Sequence, residues 1–367
     1  MQVPLLDLYA QYANILGEIR QGLEELFSTH RYILGPQVEE LEEKIAAYSR
    51  ARYGIGCASG TDALLLALQA LQIKEDDEVI TTAFTFFATA SCIHRVGAKP
   101  VFVDINPRTF NIDPDKIEPA ITERTRAIIA VHLFGQPAEM DRILHLAQKY
   151  DLKVIEDNAQ SIGSKYQGKT VGALGDIGTL SFFPSKNLGA MGDAGMCITN
   201  DKDLADSIRL LRHHGENPKY FHKRVGLNSR LDTIQATILL VKLPYLEKWN
   251  ADRIKNARYY YKELADLEQI ILPEIHPQAF SIFNQFTIRV KERDKLFEYL
   301  QKRGVGCAIY YPQPLHIQEC FSYLGYKKGD LPLSEEASLQ VLSIPIYSEL
   351  TDIQKDYVVR TIRNFYR

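Results

Sequence analysis

Val154-Ile155-Glu156-Asp157-Asn158-Ala159-Gln160 passes from a short apolar run to polar residues within one step. The run Lys153–Glu156 is too short for a helix and reads as a buried strand that ends at an acid, Asp157. Four similar runs lie around it: Asp77–Thr82 (DEVITT), Pro100–Asp104 (PVFVD), Ala127–His132 (AIIAVH) and Met196–Thr199 (MCIT). Helical patterns such as Thr61–Leu71 and Ala138–Tyr150 separate them. Strands alternating with helices imply an α/β fold built of βαβ units, with a mostly parallel sheet covered on both faces. Ligands of such sheets bind beyond the carboxyl ends of the strands, so chemistry belongs where each run stops.

Residues 230–265 are strongly helical, with Pro244 as the break. Beyond them, Ala279–Val290 and Val305–Tyr311 read as strands among helices, which predicts a smaller α+β unit. The expected division is a large unit over residues 1–245 and a small one over 246–367, sharing a long helix. A length of 367 residues agrees with two units, at roughly 150 residues each. The balance of 43 Lys+Arg against 46 Asp+Glu leaves a charge of −3 and argues against nucleic acid as a partner, which demands a basic stripe. Five cysteines, odd in number and without a CxxC pair, speak against a disulfide framework and for a reducing cytoplasm. The first basic residue is Arg20, so no signal peptide is expected. No apolar run approaches the roughly 18–20 residues that span a bilayer, so no membrane role is expected.

Three stretches carry chemistry. Ser59-Gly60-Thr61-Asp62 precedes an apolar helix. Small residues there leave backbone N–H groups free for a phosphate, with the Thr61 hydroxyl in support, although a plain helix cap reads the same way. Asp157, at its strand end, suits a metal ligand, a base, a partner for a buried cation or a simple helix cap. Lys186 stands among aromatic and small residues in Ser181-Phe182-Phe183-Pro184-Ser185-Lys186-Asn187-Leu188-Gly189, with glycines continuing to Gly195. Burial would lower its pKa and free a nucleophilic amine, whereas a surface turn would leave it inert. Together, a phosphate cradle, a strand-end acid and a later lysine match the parts of a pyridoxal phosphate (PLP) site. His213-His214 lacks metal-ligand spacing, so no metal is expected. Gly172, Gly175 and Gly178 do not form a dinucleotide fingerprint.

Over nearly its whole length the chain resembles the DegT-type nucleotide-sugar aminotransferases, PLP enzymes of the aspartate-aminotransferase fold (fold type I). Besides the three stretches, Arg31-Tyr32-Ile33-Leu34-Gly35-Pro36 and Asn228-Ser229-Arg230-Leu231-Asp232 carry the resemblance. It implies that Lys186 forms a Schiff base with the cofactor and then shuttles the proton. Asp157 would hold the pyridinium nitrogen, Gln160 the ring oxygen, and Gly60, Thr61 and Ser181 the phosphate. Phe86 would stack on the ring; its alternative is a core position in an aromatic-rich segment. Asn228 would reach the phosphate from the neighbouring subunit of a homodimer. L-glutamate would donate the amino group and a nucleotide-linked keto-sugar would accept it.

Family members that aminate C4 often carry a His where Gln160 stands and a Tyr-Arg-Met-Thr-like run where Ser229–Asp232 stands. This chain is similar to the C3-aminating members instead. Within them, Tyr310-Tyr311-Pro312-Gln313-Pro314-Leu315-His316 looks like the group acting on dTDP-3-keto-6-deoxyhexoses. The group acting on UDP-2-acetamido-3-keto-hexuronates, the alternative, tends to place a His at Tyr310. Tyr310, Tyr311 and His316 are candidates to line the sugar pocket, against aromatic packing at the junction of the two units. Tyr32 and Arg31 are candidates for the nucleotide phosphates, Arg230 for a carboxylate, and His222 for the substrate or plain surface. A non-enzymatic regulator of this fold would lack Lys186 or Asp157, and both are present. A dehydratase of this fold would carry His in place of Lys186. An enzyme acting only on amino acids would need an arginine in the small unit, where Arg289 and Arg303 are available.

Overall fold

The computed structural model describes residues 1–367. Helices α1 (Leu8–Ala13), α2 (Leu16–Thr29) and α3 (Pro36–Tyr48) precede strand β1 (Tyr53–Cys57). Pro36 opens α3, where its missing N–H would have had no intrahelical partner. The alternation then sets in with α4 (Gly60–Ala70), β2 (Glu78–Thr82), α5 (Ala88–Arg95), β3 (Lys99–Val103), β4 (Thr125–Val131), α6 (Met140–Tyr150) and β5 (Lys153–Asp157). A short hairpin, β6 (Lys165–Tyr166) and β7 (Lys169–Thr170), leads to β8 (Ile177–Ser181) and β9 (Gly195–Thr199). Helices α7 (Lys202–Leu211) and α8 (Thr233–Lys242) follow, and a turn at Leu243–Tyr245 breaks the chain before α9 (Leu246–Leu264). The remainder holds β10 (Ile270–Ile271), β11 (Ala279–Phe280), β12 (Phe286–Val290), α10 (Arg293–Lys302), α11 (Pro332–Gln340), β13 (Val341–Ile344) and α12 (Asp352–Phe365).

The central sheet has seven strands in the order β1-β9-β8-β5-β4-β2-β3. Only β9 runs against the other six. The strands alternate in the face they serve, as a pleat requires. Val79, Ile129 and Ile155 pack with Leu64, Ala67 and Leu68 of α4 on one face. Their neighbours Ile80, Ile128 and Val154 pack with Met140 and Ile143 of α6 on the other. All of these strand residues are essentially inaccessible. Each such side chain contributes about 1.5–3 kcal/mol of burial, which holds both helical layers to the sheet. The effect is a rigid row of strand ends, and the carboxyl ends of β5 and β8 deliver Asp157 and Ser181 to one place.

The expected strands and helices appear within two or three residues of their predicted ends. Three differences stand out. β1 and β8 are strands that the apolar-run pattern did not reveal, because glycines interrupt them. Gly54 and Gly56 are required: a Cβ on the first would lie 2.5 Å from the Glu42 carbonyl oxygen, and on the second 2.8 Å from the Leu231 side chain. Ala279–Val290 is two strands rather than one, and β11 pairs with β6 instead of with the second sheet. Val305–Tyr311 is not a strand; it makes only single bridges, Val305 to Val3 and Ala308 to Ser343.

A second sheet, β10-β12-β13, is antiparallel. Its core joins Phe286, Ile288 and Leu342 to Tyr260 and Leu264 of α9, Leu296 of α10 and Val358 of α12. Val3 sits in this same core. At its other end α9 packs Leu246 with Leu180, Phe182 and Leu188 under the central sheet. One helix thus ties both cores together.

Candidate active site

The turn before α4 supplies the first wall. Ser59 is extended, and its hydroxyl accepts the Asp62 N–H at 3.1 Å, so the helix-cap reading holds. The same turn also opens onto a cavity of about 450 Å³ lined by Ser59, Gly60 and Thr61. Gly60 lies so close to the end of β8 that a Cβ would stand 2.5 Å from that of Ser181. Gly195 presses from below; its Cβ would lie 2.3 Å from the Ser59 carbonyl. Apart from the Ser59 cap, the amino end of this 11-residue helix faces the cavity through Gly60 and Thr61, a setting that suits an anion.

Asp157 closes β5 and is buried. No helix follows, so it is not a helix cap. Its carboxylate accepts the Thr89 hydroxyl at 2.8 Å and the Ala159 N–H at 3.3 Å. Burial pushes its pKa up, and those two donors, with the Lys186 charge, oppose the shift. Gln160 is held in one orientation: its Oε1 accepts the Phe134 N–H at 2.7 Å, and its Nε2 donates to the Tyr311 hydroxyl at 3.1 Å.

Lys186 rides on a tight loop. The loop is closed by Ala190 N–H to the Phe182 carbonyl at 2.7 Å and by Lys186 N–H to the Phe183 carbonyl at 2.8 Å. A Cβ on Gly189 would lie 2.4 Å from the Pro184 carbonyl oxygen, so the turn demands glycine. Two helices grip it from behind: Asn250 of α9 accepts from Asn187 at 2.7 Å, and the fully buried Lys242 of α8 donates to the Gly189 carbonyl. Burial draws the Lys186 amine down to about 8, against the pull of the nearby Asp157 charge. The surface-turn reading is set aside, because the side chain lines the cavity together with Asp157.

Of the residues singled out from sequence, Gly60, Thr61, Phe86, Asp157, Gln160, Ser181, Lys186, Tyr310 and Tyr311 all line this one cavity. Phe86 is 56% exposed, whereas the core position in its segment belongs to Phe84. The Phe86 and Tyr311 rings stand 6.2 Å apart. His316 corrects the expectation of a pocket residue: it is buried elsewhere, with Nε2 3.0 Å from Glu335 and its ring edge-on to Tyr326. Tyr32 and Arg31 line a separate surface groove formed by residues 30–36 and Glu39. Asn228 and Arg230 are also outside the cavity of their own chain; Asn228 bridges to His213 along the backbone, and the Arg230 guanidinium meets His213 at 3.1 Å. His222 is exposed and bonded to the His214 carbonyl at 2.9 Å.

Thr85, Asp193 and Gln285 line the cavity without having been anticipated. Thr89, the partner of Asp157, lies 68 residues away from it in sequence and carries no local signal. Glu156, beside Asp157, faces away. It accepts N–H groups of Gly172, Leu174 and Gly175 at 2.7–2.8 Å and meets His132 at 3.0 Å.

Along its whole length the chain is similar to known proteins. The chain is 52% identical over 369 residues to a pleiotropic regulatory protein of Geobacillus stearothermophilus, covering 100% of this chain and 99% of that one. It is 45% identical to the UDP-N-acetyl-3-dehydro-alpha-D-glucosamine 3-aminotransferase of Acidithiobacillus ferrooxidans, covering 98% and 97%. It is 39% identical to a dTDP-3-amino-3,4,6-trideoxy-alpha-D-glucose transaminase of Streptomyces venezuelae, covering 99% and 96%. Among solved structures, S. venezuelae DesV superposes with a TM-score of 0.97 at 39% identity over 99% of this chain and 98% of that one. Bacillus subtilis NtdA, solved with bound PMP, gives a TM-score of 0.92 at 36% identity over 99% and 85%. Residues 14–363 match the model of the DegT/DnrJ/EryC1/StrS aminotransferase family, and the chain belongs to that family.

Proposed function

We propose that the protein is a PLP-dependent aminotransferase that moves the amino group of L-glutamate to C3 of a nucleotide-linked 3-keto sugar. The observation that carries this reading is a lysine, its pKa drawn down to about 8, in the same cavity as a buried carboxylate and the amino end of a helix. The donor set fits the cofactor: an anion cradle that a Cβ at Gly60 would fill, an acid for a cationic ring nitrogen, and an amine for an aldehyde. When bound, PLP supplies the electron sink that lets an amino group change carriers.

The remaining work falls to the chain. Gly60, Thr61 and Ser181 would hold the phosphate, Asp157 would keep the ring nitrogen protonated, Gln160 would serve the ring oxygen, and Phe86 would cover the ring. Lys186 would hold the cofactor, and its amine, when free, would move the proton from the donor's α-carbon to the other side of the transfer. An amine with a pKa near the working pH suits both directions of that transfer. Asn228 and Arg230 act in the partner's cavity of a homodimer.

For the sugar, a dTDP-3-keto-6-deoxyhexose is the favoured substrate and a UDP-2-acetamido-3-keto-hexuronate the alternative. Tyr310 is neutral, and Lys186 is the only cation among the 19 residues around the cavity, where Asp157 and Asp193 are acids. A uronate carboxylate would therefore depend on Arg230 of the partner subunit for its positive charge. Similarity to a relative named as a regulatory protein does not weigh against catalysis, because Lys186 and Asp157 are both present.

Purified protein with PLP and L-glutamate is to be offered both sugars in parallel, with products read by mass spectrometry. The expected result is a 3-amino product from the dTDP sugar. Product from the uronate alone would transfer the role of carboxylate anchor to Arg230. Absence of any amino transfer would overturn the reading.

A further inference from the structure

Gln285 stands at the wall of the cavity just before β12. Its side-chain oxygen is enclosed yet has no hydrogen-bond partner in the protein. Ten other buried polar atoms share that condition, and none of them belongs to a residue lining this cavity. A buried amide oxygen without a donor is costly, so such an atom in a binding site marks where a ligand donor belongs.

The backbone behind this side chain is firmly placed. Gln285 N–H reaches the Phe134 carbonyl at 3.4 Å, and Ile282 N–H reaches the Gly135 carbonyl at 3.1 Å. The buried Arg253 guanidinium donates to the carbonyls of Asn284 and Phe283, at 3.3 and 3.5 Å, and to that of Ile346 at 2.6 Å. Phe134 is also the residue whose N–H fixes Gln160. The Phe134 backbone thus meets both glutamines, Gln160 toward Tyr311 and Gln285 at the cavity wall. Tyr310 and Tyr311 line the same space.

We propose that Gln285 is a specificity-determining residue that accepts a hydrogen bond from a hydroxyl of the keto-sugar. The inference rests on the aminotransferase reading and deepens it. The unpartnered oxygen suits the proton of a sugar hydroxyl, and the uncharged amide brings no positive charge to a carboxylate, whether of a uronate or of glutamate. Gln285 therefore discriminates between the two half-reactions: it serves the sugar and not the amino-acid donor.

The test follows the cofactor's absorbance in single turnovers of the wild type, Gln285→Met and Gln285→Glu. Glutamate drives one half-reaction, and the dTDP-3-keto-6-deoxyhexose drives the other. In Gln285→Met the sugar half-reaction is expected to fall roughly 10- to 100-fold more than the glutamate half-reaction. Gln285→Glu, which keeps an acceptor oxygen, is expected to recover part of that loss. A second readout is independent of turnover: calorimetric binding of the dTDP-linked 3-amino-6-deoxyhexose to Lys186→Ala protein should weaken by a similar factor when Gln285→Met is added. An equal fall in both half-reactions, or unchanged sugar binding, would overturn the inference. A wild-type protein that fails to react with glutamate would instead overturn the functional reading beneath it.

Discussion

Lys186 and Asp157 set one another's charge. The buried amine titrates near 8, and the Asp157 carboxylate opposes the effect of burial by favouring the ammonium form. The free-amine fraction therefore rises as pH passes through about 8. Capture of added PLP by the cofactor-free protein, followed by stopped-flow absorbance, should accelerate with pH about that midpoint, rather than near 10.4 as for a solvated lysine. Asp157→Asn removes the charge that holds the proton on, so the midpoint should move down. An upward move would mean that the two groups do not face each other in solution.

At the scale of elements, Glu156 decides how β5 is held. Burial alone would raise its pKa, but the His132 imidazole and the N–H groups of Gly172 and Gly175 hold it below the usual carboxylate range. A group depressed in the folded state stabilises above its unfolded pKa, and that contribution fades as pH falls through the folded value. Glu156→Gln turns an NH₂ toward at least one N–H donor and loses the charge. It should cost about 2–5 kcal/mol at pH 7 in urea unfolding. The gap to wild type should narrow as pH falls below the ordinary carboxylate range; a constant gap would show that the carboxylate charge is irrelevant. Elements also show what a sequence can reveal. The apolar runs of β2 to β5 were legible because burial on both faces leaves an unbroken signature. β1 and β8 were not, since close approaches to Glu42, Leu231 and the Gly172 carbonyl force glycine into them. The helix cap, Asp157 and Lys186 were legible because each lies in a short local motif. Thr89, Lys242 and Gln285 were not: they join the site through contacts 53 or more residues distant, or through a cavity wall that no spacing rule describes. His316 misled because an aromatic neighbourhood marks packing as readily as binding.

The whole molecule raises a question of charge and cover. L-glutamate carries two carboxylates and a nucleotide sugar a diphosphate, yet one chain places only Lys186 as a cation around the cavity. Phe86 and Phe183 stand half-exposed at its walls, and Tyr220, Phe221 and Val225 are exposed on the segment that leads to Asn228 and Arg230. A second copy that covers these rings and inserts Asn228 and Arg230 would supply both the cover and the missing charge. Mixing variants checks this directly. Lys186→Ala alone should be inactive, and Asn228→Ala combined with Arg230→Ala should be severely impaired. When the two proteins are unfolded together and refolded as a mixture, half of the dimers are mixed under random pairing. Each mixed dimer has one cavity with an intact Lys186 and an intact partner segment. About a quarter of the wild-type rate should return. If Asn228 and Arg230 served their own chain's cavity, no mixed dimer would contain an intact site, and the mixture would stay as inactive as its parts.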